Sequence, residues 1–237
     1  MNQGTYPLAA GMINQINRVD MISNNLANAN TNGYKQEGLS EGSFNYYLQR
    51  AEKENFQPTK ISTVLNTVPK LDTKYTSSEQ GMITPTSNNL DFALNNPDTF
   101  FKVRNENGEV LLTRDGSFHV LNNNIVNSVG HQVLGADNEP IDAEEGFETL
   151  VGVVKTSYTN IDKIGNNNYR IRNENEVETI LDNEDYVLQG AVEKSNVNSV
   201  HTMVSLIDAH RKFEQSQKAI QAIGEVSKSL VEKLGRQ

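Results

Sequence analysis

The sequence predicts an α+β chain whose N- and C-terminal helices pair as an α-helical coiled-coil layer and whose centre is an antiparallel all-β domain. Apolar residues recur every three or four positions near the start, at Leu8, Met12, Ile16, Val19, Ile22 and Leu26. Near the end, Leu206, Phe213, Ile220, Ser227 and Leu234 fall seven apart, and Ala209, Ser216, Ile223 and Leu230 interleave with them as in a heptad repeat. Between these stripes, short apolar runs alternate with Asn- and Gly-rich turns at the roughly 8–12-residue spacing of antiparallel strands.

Each element has its own signals. Thr5 can cap the first helix, and Pro7 sits in the first turn, where a missing N–H costs nothing. The helix is expected from about Tyr6 to about Asn28, and the stretch Asn28-Ala-Asn-Thr-Asn-Gly33 ends it, since Asn and Gly tolerate left-handed geometry. Asn24 and Asn25 inside the helix each cost roughly 0.5 kcal/mol against alanine; they form either a solvated polar face or a hydrogen-bonding edge for a neighbouring chain. Residues 36–80 read as a connecting segment, with a short helix about Tyr46-Tyr47-Leu48 and a loosely alternating extended run from Thr59 to Lys74.

Strands are expected at Leu90–Leu94, Thr99–Arg104, Glu109–Arg114, Ser117–Leu121, Ile125-Val126 and His131–Leu134. Further strands are expected at Thr149–Thr156, Tyr158–Ile161, Asn168–Arg172 and Tyr186–Val192. Asn107-Gly108 and Asp115-Gly116 are turn signals. Asn198 or Ser199 caps the last helix, which only Gly224 interrupts before Lys233 and which would be about 50 Å long. The domain reading is therefore 1–35 N-terminal helix, 36–80 connector, 81–194 β domain and 195–237 C-terminal helix.

Composition narrows function. The net charge of −9 across 237 residues argues against nucleic acid and against an anionic membrane surface as partners. No run is long enough to span a bilayer, and the N-terminus lacks the basic and apolar regions of a cleavable signal. Cysteine is absent, which removes disulfides and thiolate chemistry. The modest hydrophobic fraction of 36% and the lack of tryptophan favour several thin layers over one dense core.

No catalytic, cofactor or metal site is expected. His119, His131, His201 and His210 lack metal-ligand spacing. Asp182, Glu184 and Asp185 read as a solvated turn, and Asn105-Glu-Asn-Gly-Glu109 as a hairpin turn without the acidic twelfth position of a calcium loop. No nucleophile or phosphate-binding motif appears. The chain reads as non-enzymatic. On the C-terminal helix, Val200, Met203, Leu206, Ile207, Phe213, Ile220, Ile223, Leu230 and Leu234 are apolar. Burying all of them stabilises by at most about 13–27 kcal/mol. The shorter first helix covers only part of that length, so the rest needs neighbours, either as a self-contained hairpin on the β domain or as contacts between copies.

Ile22-Ser-Asn-Asn-Leu-Ala-Asn-Ala-Asn-Thr-Asn-Gly-Tyr-Lys35 resembles the N-terminal signature of the bacterial flagellar rod and hook axial proteins. Ser195-Asn-Val-Asn-Ser199, followed by Arg211-Lys-Phe-Glu214, resembles their C-terminal motif. Gln80-Gly81, Leu90-Asp-Phe-Ala-Leu94, Phe100-Phe101 and Thr113-Arg-Asp-Gly-Ser-Phe118 are similar to the β domain of that family. Two positions depart from its pattern. Asn95-Asn-Pro-Asp-Thr99 stands where glycines precede the Phe-Phe pair, and Asn124 stands where a glycine is usual, a place its side chain can hold in left-handed geometry.

The resemblance implies a structural subunit of the flagellar basal-body rod, spanning the periplasm, of the proximal-rod type because no long insertion follows Lys35. A distal-rod subunit is the alternative, and a periplasmic binding module whose helices only oligomerise it is another. The implied partners are copies of itself, other rod and hook axial proteins, and the flagellar type III export apparatus. The implied interface residues are Leu8, Met12, Ile16, Val19, Ile22, Asn24, Asn25, Leu26, Asn28 and Asn32, with Met203, Leu206, Ile207, Phe213, Ile220, Ile223, Leu230 and Leu234. The implied monomer frays at both ends, so limited proteolysis trims it to about residues 36–195.

Overall fold

A computed structural model describes residues 5–43, 69–143 and 146–234. The chain divides into two compact units. The expected helix about Tyr46 and the first part of the expected extended run, through Val68, lie outside the described residues.

The first unit holds helix α1 (Thr5–Ala27), strand β1 (Glu37–Ser43), strand β2 (Pro69–Thr76) up to Tyr75, and helix α2 (Ser199–Leu234). α1 packs on α2 and on β1, and β1 and β2 form a two-stranded sheet. Asn198 is the cap of α2: its Oδ1 accepts the His201 N–H at 3.0 Å, and its carbonyl accepts the Thr202 N–H at 2.9 Å. The helix runs unbroken through Gly224.

α2 has two different faces. Thr202 and Ala209 are buried, and Leu206, Phe213, Ser216, Ile220 and Ile223 are half-buried along the same side. That is the heptad stripe. Val200, Met203, Val204 and Ile207 lie on the opposite side at i, i+3, i+4 and i+7, with exposures of 73, 53, 54 and 48%. On α1, Ile22 and Asn25 are buried and Met12, Val19 and Leu26 half-buried, whereas Ile13 and Ile16 are exposed.

The second unit comprises residues 28–36 and 76–197. Its strands are β3 (Ile83–Pro85), β4 (Phe92–Leu94), β5 (Thr99–Arg104), β6 (Val110–Thr113), β7 (His119–Leu121), β8 (Asn124–Val126) and β9 (Gln132–Val133). They continue with β10 (Val153–Lys155), β11 (Ile161–Gly165), β12 (Asn168–Ile171), β13 (Glu178–Ile180), β14 (Val187–Gln189) and β15 (Ala191–Glu193). A nine-stranded sheet runs β11-β12-β6-β5-β9-β8-β7, with β10 pairing both β5 and β13; β14 pairs β4, and β15 pairs β3. These pairings of β3 to β15 are antiparallel.

Central strands are covered on both faces, so period two sorts residues between two cores instead of between core and water. Phe101, Val103, Leu111 and Val153 join Phe92 and Phe118 in one cluster. Phe100, Leu112 and Val154 join Ile161 and Tyr169 in the other. Aromatic edges set both: Phe101 meets Phe118 at 5.2 Å between ring centroids, and Phe100 meets Tyr169 at 5.6 Å.

Several expectations are corrected. Tyr158–Asn160 is a 3-10 turn, not a strand, because Ser157 Oγ accepts the Thr159 N–H and the Asn160 side chain bridges to both the N–H and the carbonyl of Asn173. Asn124 lies in β8; the left-handed residues are Asn122 and Asn123, with φ of 51° and 67°, which make the β7–β8 turn. The run Tyr186–Val192 is two strands, because Gly190 (φ +71°) bends the chain from the β4 edge to the β3 edge. In Leu90–Leu94 only Phe92–Leu94 is strand, and all three of its residues are buried.

Two glycines predict opposite outcomes. A Cβ at Gly190 meets Thr86 O at 3.5 Å, so Gly190→Ala carries mainly the left-handed strain, about 1–2 kcal/mol of lost stability. A Cβ at Gly224 meets nothing within 4 Å, so Gly224→Ala should stabilise α2 by about 1 kcal/mol. Urea unfolding followed by circular dichroism distinguishes the signs; stabilisation by both substitutions would contradict this backbone assignment.

Candidate functional site

The chain segments that enter and leave the second unit run alongside each other. Gly33 N–H donates to Glu193 O at 2.7 Å, Asn196 N–H to Tyr34 O at 3.3 Å, and Gln36 N–H to Asn196 Oδ1 at 2.7 Å. The Asn196 amide also donates to Glu79 O at 2.9 Å. These bonds satisfy main-chain groups in a stretch that is neither helix nor sheet.

Beneath this clamp lies a buried charge hub. Glu193 Oε1 accepts from Lys35 Nζ at 2.7 Å and from the Gly81 N–H at 2.8 Å. Glu193 Oε2 accepts from Arg114 Nε at 2.8 Å and from a terminal Arg114 nitrogen at 2.5 Å. The three side chains are at most 1% exposed. Two cations face one carboxylate, so main-chain carbonyls take the surplus: Glu79 O accepts from Lys35, and Asn96 O and Thr99 O accept from Arg114. Burial lowers the Lys35 pKa, Glu193 opposes that shift, and Arg114 adds to it.

Glycines let the backbone close on the hub. Gly33 has φ +66°, and a Cβ there would lie 2.4 Å from the Arg114 carbonyl. At Gly81 a Cβ would lie 1.8 Å from Lys194 O. Around them, Asn32 Nδ2 donates to Ser117 Oγ at 3.0 Å, Lys194 Nζ donates to Asn32 Oδ1 at 2.9 Å, and Asn167 donates to Asn32 O at 2.9 Å. Lys163 Nζ sits 3.8 Å from the centroid of the Tyr34 ring and donates to Lys35 O. Asp115 accepts from Ser117 and Ser128 and so pins the turn after Arg114.

The expected interface residues fall into distinct settings. Asn25 exchanges two bonds with the Glu37 backbone, Nδ2 to O at 2.8 Å and N–H to Oδ1 at 2.9 Å. Asn32 belongs to the clamp, and Asn28 carries the turn into it, accepting from Thr31. Asn24 is exposed on α1. The described apolar residues of the stripes face the other helix, apart from exposed Ile16, Met203 and Ile207. The side chains of Leu8, Leu230 and Leu234 lie outside the described residues.

Sequence reasoning missed the hub. Lys35 is the one charged residue of the motif Ile22–Lys35, a signal that could have found it; Arg114 and Glu193 have charged neighbours in Asp115 and Lys194 and carry no such mark. Also missed was the outer face formed by Val200 and Val204 with Met203 and Ile207. Among the described residues, no group of three or more His, Asp or Glu could hold a metal ion, and no helix is long and apolar enough to cross a membrane.

Comparison with known proteins meets this geometry directly. The family described as flagella basal body rod protein matches residues 7–35, the flagellar hook protein FlgE/F/G D1 domain matches residues 96–166, and the flagellar basal body rod FlgEFG protein C-terminal region matches residues 188–232. Lys35, Arg114 and Glu193 come one from each matched region. The chain is 30% identical over 239 aligned residues to flagellar basal-body rod protein FlgF of Caulobacter vibrioides, covering 92% of both chains. It is 29% identical to rod protein FlgG of Buchnera aphidicola subsp. Schizaphis graminum, covering 87% of this chain and 89% of that one. It is 27% identical to the flagellar hook-basal body complex protein FlhO of Bacillus subtilis across all of both chains.

The charge count at the hub predicts an asymmetry. Glu193→Gln strands two buried cations and should cost about 3–5 kcal/mol. Lys35→Met leaves a balanced Arg114–Glu193 pair and should cost about 1–2 kcal/mol, mostly from lost hydrogen bonds. Because folding lowers the Lys35 pKa, the folded chain binds fewer protons there than the unfolded chain between the lowered value and the ordinary lysine value. Stability therefore rises with pH across that window, and the parent chain gains on Lys35→Met. Urea midpoints at neutral and alkaline pH test both statements; equal cost for the two substitutions would refute the charge count.

Proposed function

This chain belongs to the flagellar basal-body rod protein family, and from that premise we propose that it is a self-associating structural subunit of the rod. Its family is structural, of the FlgF or FlgG type, and its place is the flagellar basal body. We assign it to the proximal, FlgF-like part of the rod, on the absence of a long insertion after Lys35. It reaches that place through the flagellar type III export apparatus and contacts copies of itself and other axial proteins.

The observation that carries self-association is the outer face of α2. Its inner stripe is occupied by α1 of the same chain, yet Val200, Met203, Val204 and Ile207 still face solvent on the other side. Four apolar side chains at helical spacing form a strip that a neighbouring helix can bury, at up to about 1.5–3 kcal/mol for each one fully covered. Among the described residues, four of the helix's five strongly exposed large apolar residues lie in its first turns and the fifth, Val226, stands apart, so this strip belongs to the start of the helix. Ile13 and Ile16 offer a smaller apolar patch on α1. Helices that carry one seam for their own chain and another for a neighbour build an axial layer in which each subunit is held on several sides. Such a layer resists twisting, which is the mechanical demand on a drive shaft that carries torque from motor to hook around an export channel.

Two experiments test this reading. Met203→Glu combined with Ile207→Glu should leave the monomer's unfolding midpoint within about 0.5 kcal/mol, since both side chains are exposed, while abolishing motility and incorporation into isolated basal bodies. Normal incorporation of a stably folded double variant would end the proposal. Limited proteolysis of the monomer should yield a core that keeps residues 28–197. The clamp and hub revise the expected cut at 36 and 195, because a fragment starting at residue 36 lacks Lys35. A stable product cut between Asn32 and Lys35 would show that the clamp does not hold in solution.

A further inference from the structure

The Asn-Gly dipeptide occurs twice, at Asn32-Gly33 and Asn107-Gly108, and the fold treats the two in opposite ways. In this dipeptide no Cβ shields the glycine nitrogen, so that nitrogen can attack the asparagine side-chain amide.

Asn107 and Gly108 are exposed at the tip of the β5–β6 hairpin. Gly108 has φ +82°, and a Cβ there would meet nothing within 4 Å. The turn is held by Asn105, whose carbonyl accepts the Gly108 N–H at 3.0 Å and whose Oδ1 accepts the N–H groups of Asn107 and Glu109. The tip residues Glu106, Asn107 and Gly108 are exposed, and local opening at such a tip is cheap. Among the described residues, nothing holds the Asn107 side-chain amide. At the other site the Asn32 amide is bonded to Ser117 and Lys194, the Gly33 N–H is bonded to Glu193 O, and Gly33 is wedged against the Arg114 carbonyl. Cyclisation there requires the clamp to open.

We infer that Asn107 is a site of spontaneous deamidation in the native protein and that the clamp protects Asn32 from the same reaction. The deprotonated Gly108 nitrogen attacks Asn107 Cγ, the bond from Cγ to the amide nitrogen breaks, and ammonia leaves. Water then opens the resulting succinimide at either carbonyl, giving aspartate or isoaspartate. Either product adds a carboxylate between Glu106 and Glu109, the latter paired with Arg170 at 2.5 Å. Isoaspartate also lengthens the main chain by one methylene inside a turn whose geometry rests on the Asn105 bonds.

The test incubates the full chain in mildly alkaline buffer, native and in urea, and maps peptides by mass spectrometry with isoaspartate detection. In native protein Asn107 should convert at least about tenfold faster than Asn32, because only the latter needs the clamp to open. In urea the two rates should converge, and Asn107→Gln should remove the product assigned to the hairpin tip. Equal native rates would overturn the inference, and so would an undiminished ratio in urea, which would place the difference in local sequence rather than in the fold.

Discussion

One carboxylate organises the second unit. Glu193 is buried, is reached by Lys35 from the entering segment and by Arg114 from the end of β6, and receives the Gly81 N–H from a third stretch of chain. Removing charges from water is costly, and this cluster carries one more cation than anion. It holds because carbonyls at Glu79, Asn96 and Thr99 complete the coordination of the two cations. The arrangement exacts a sequence cost elsewhere: Gly33 and Gly81 are required where the backbone passes within contact of Arg114 and Lys194. A buried polar network with all its groups paired specifies a single geometry more sharply than apolar packing does.

This explains why the family's motifs are scattered along the chain and yet form one object. Asn28–Lys35, Gln80-Gly81, Thr113–Phe118 and Glu193–Val197 are distant in sequence but share hydrogen bonds in the unit. The same network separates two jobs that the terminal sequences perform. The helical portions carry apolar seams. The short segments next to them, which look like mere helix ends in sequence, are parts of the β unit.

Much of the fold was legible. Thr99–Arg104 is read to the residue, and Asn198, one of the two expected caps, is the one that acts, because turn chemistry and helix capping are local properties. The 3-10 turn at Tyr158–Asn160 was not legible, since it depends on the Asn160 side chain reaching Asn173. The division of Tyr186–Val192 was not legible either: Gly190 allows a bend but does not announce that the halves pair with β14's and β15's different partners. At β4 and β5 both faces are covered, so a solvent face is missing.

By itself, the sequence determined the α+β class, the two amphipathic ends and the family, because periodicity and ordered motifs survive without knowledge of contacts. Tertiary structure alone decided which apolar residues of α2 face its own α1 and which face water, since a heptad pattern marks a seam but cannot say how many neighbours a helix has. It also decided that Lys35, Arg114 and Glu193 meet. Charges 79 and 158 residues from Glu193 are brought into contact by the fold, and no local pattern encodes a distance that arises from the folding of everything between.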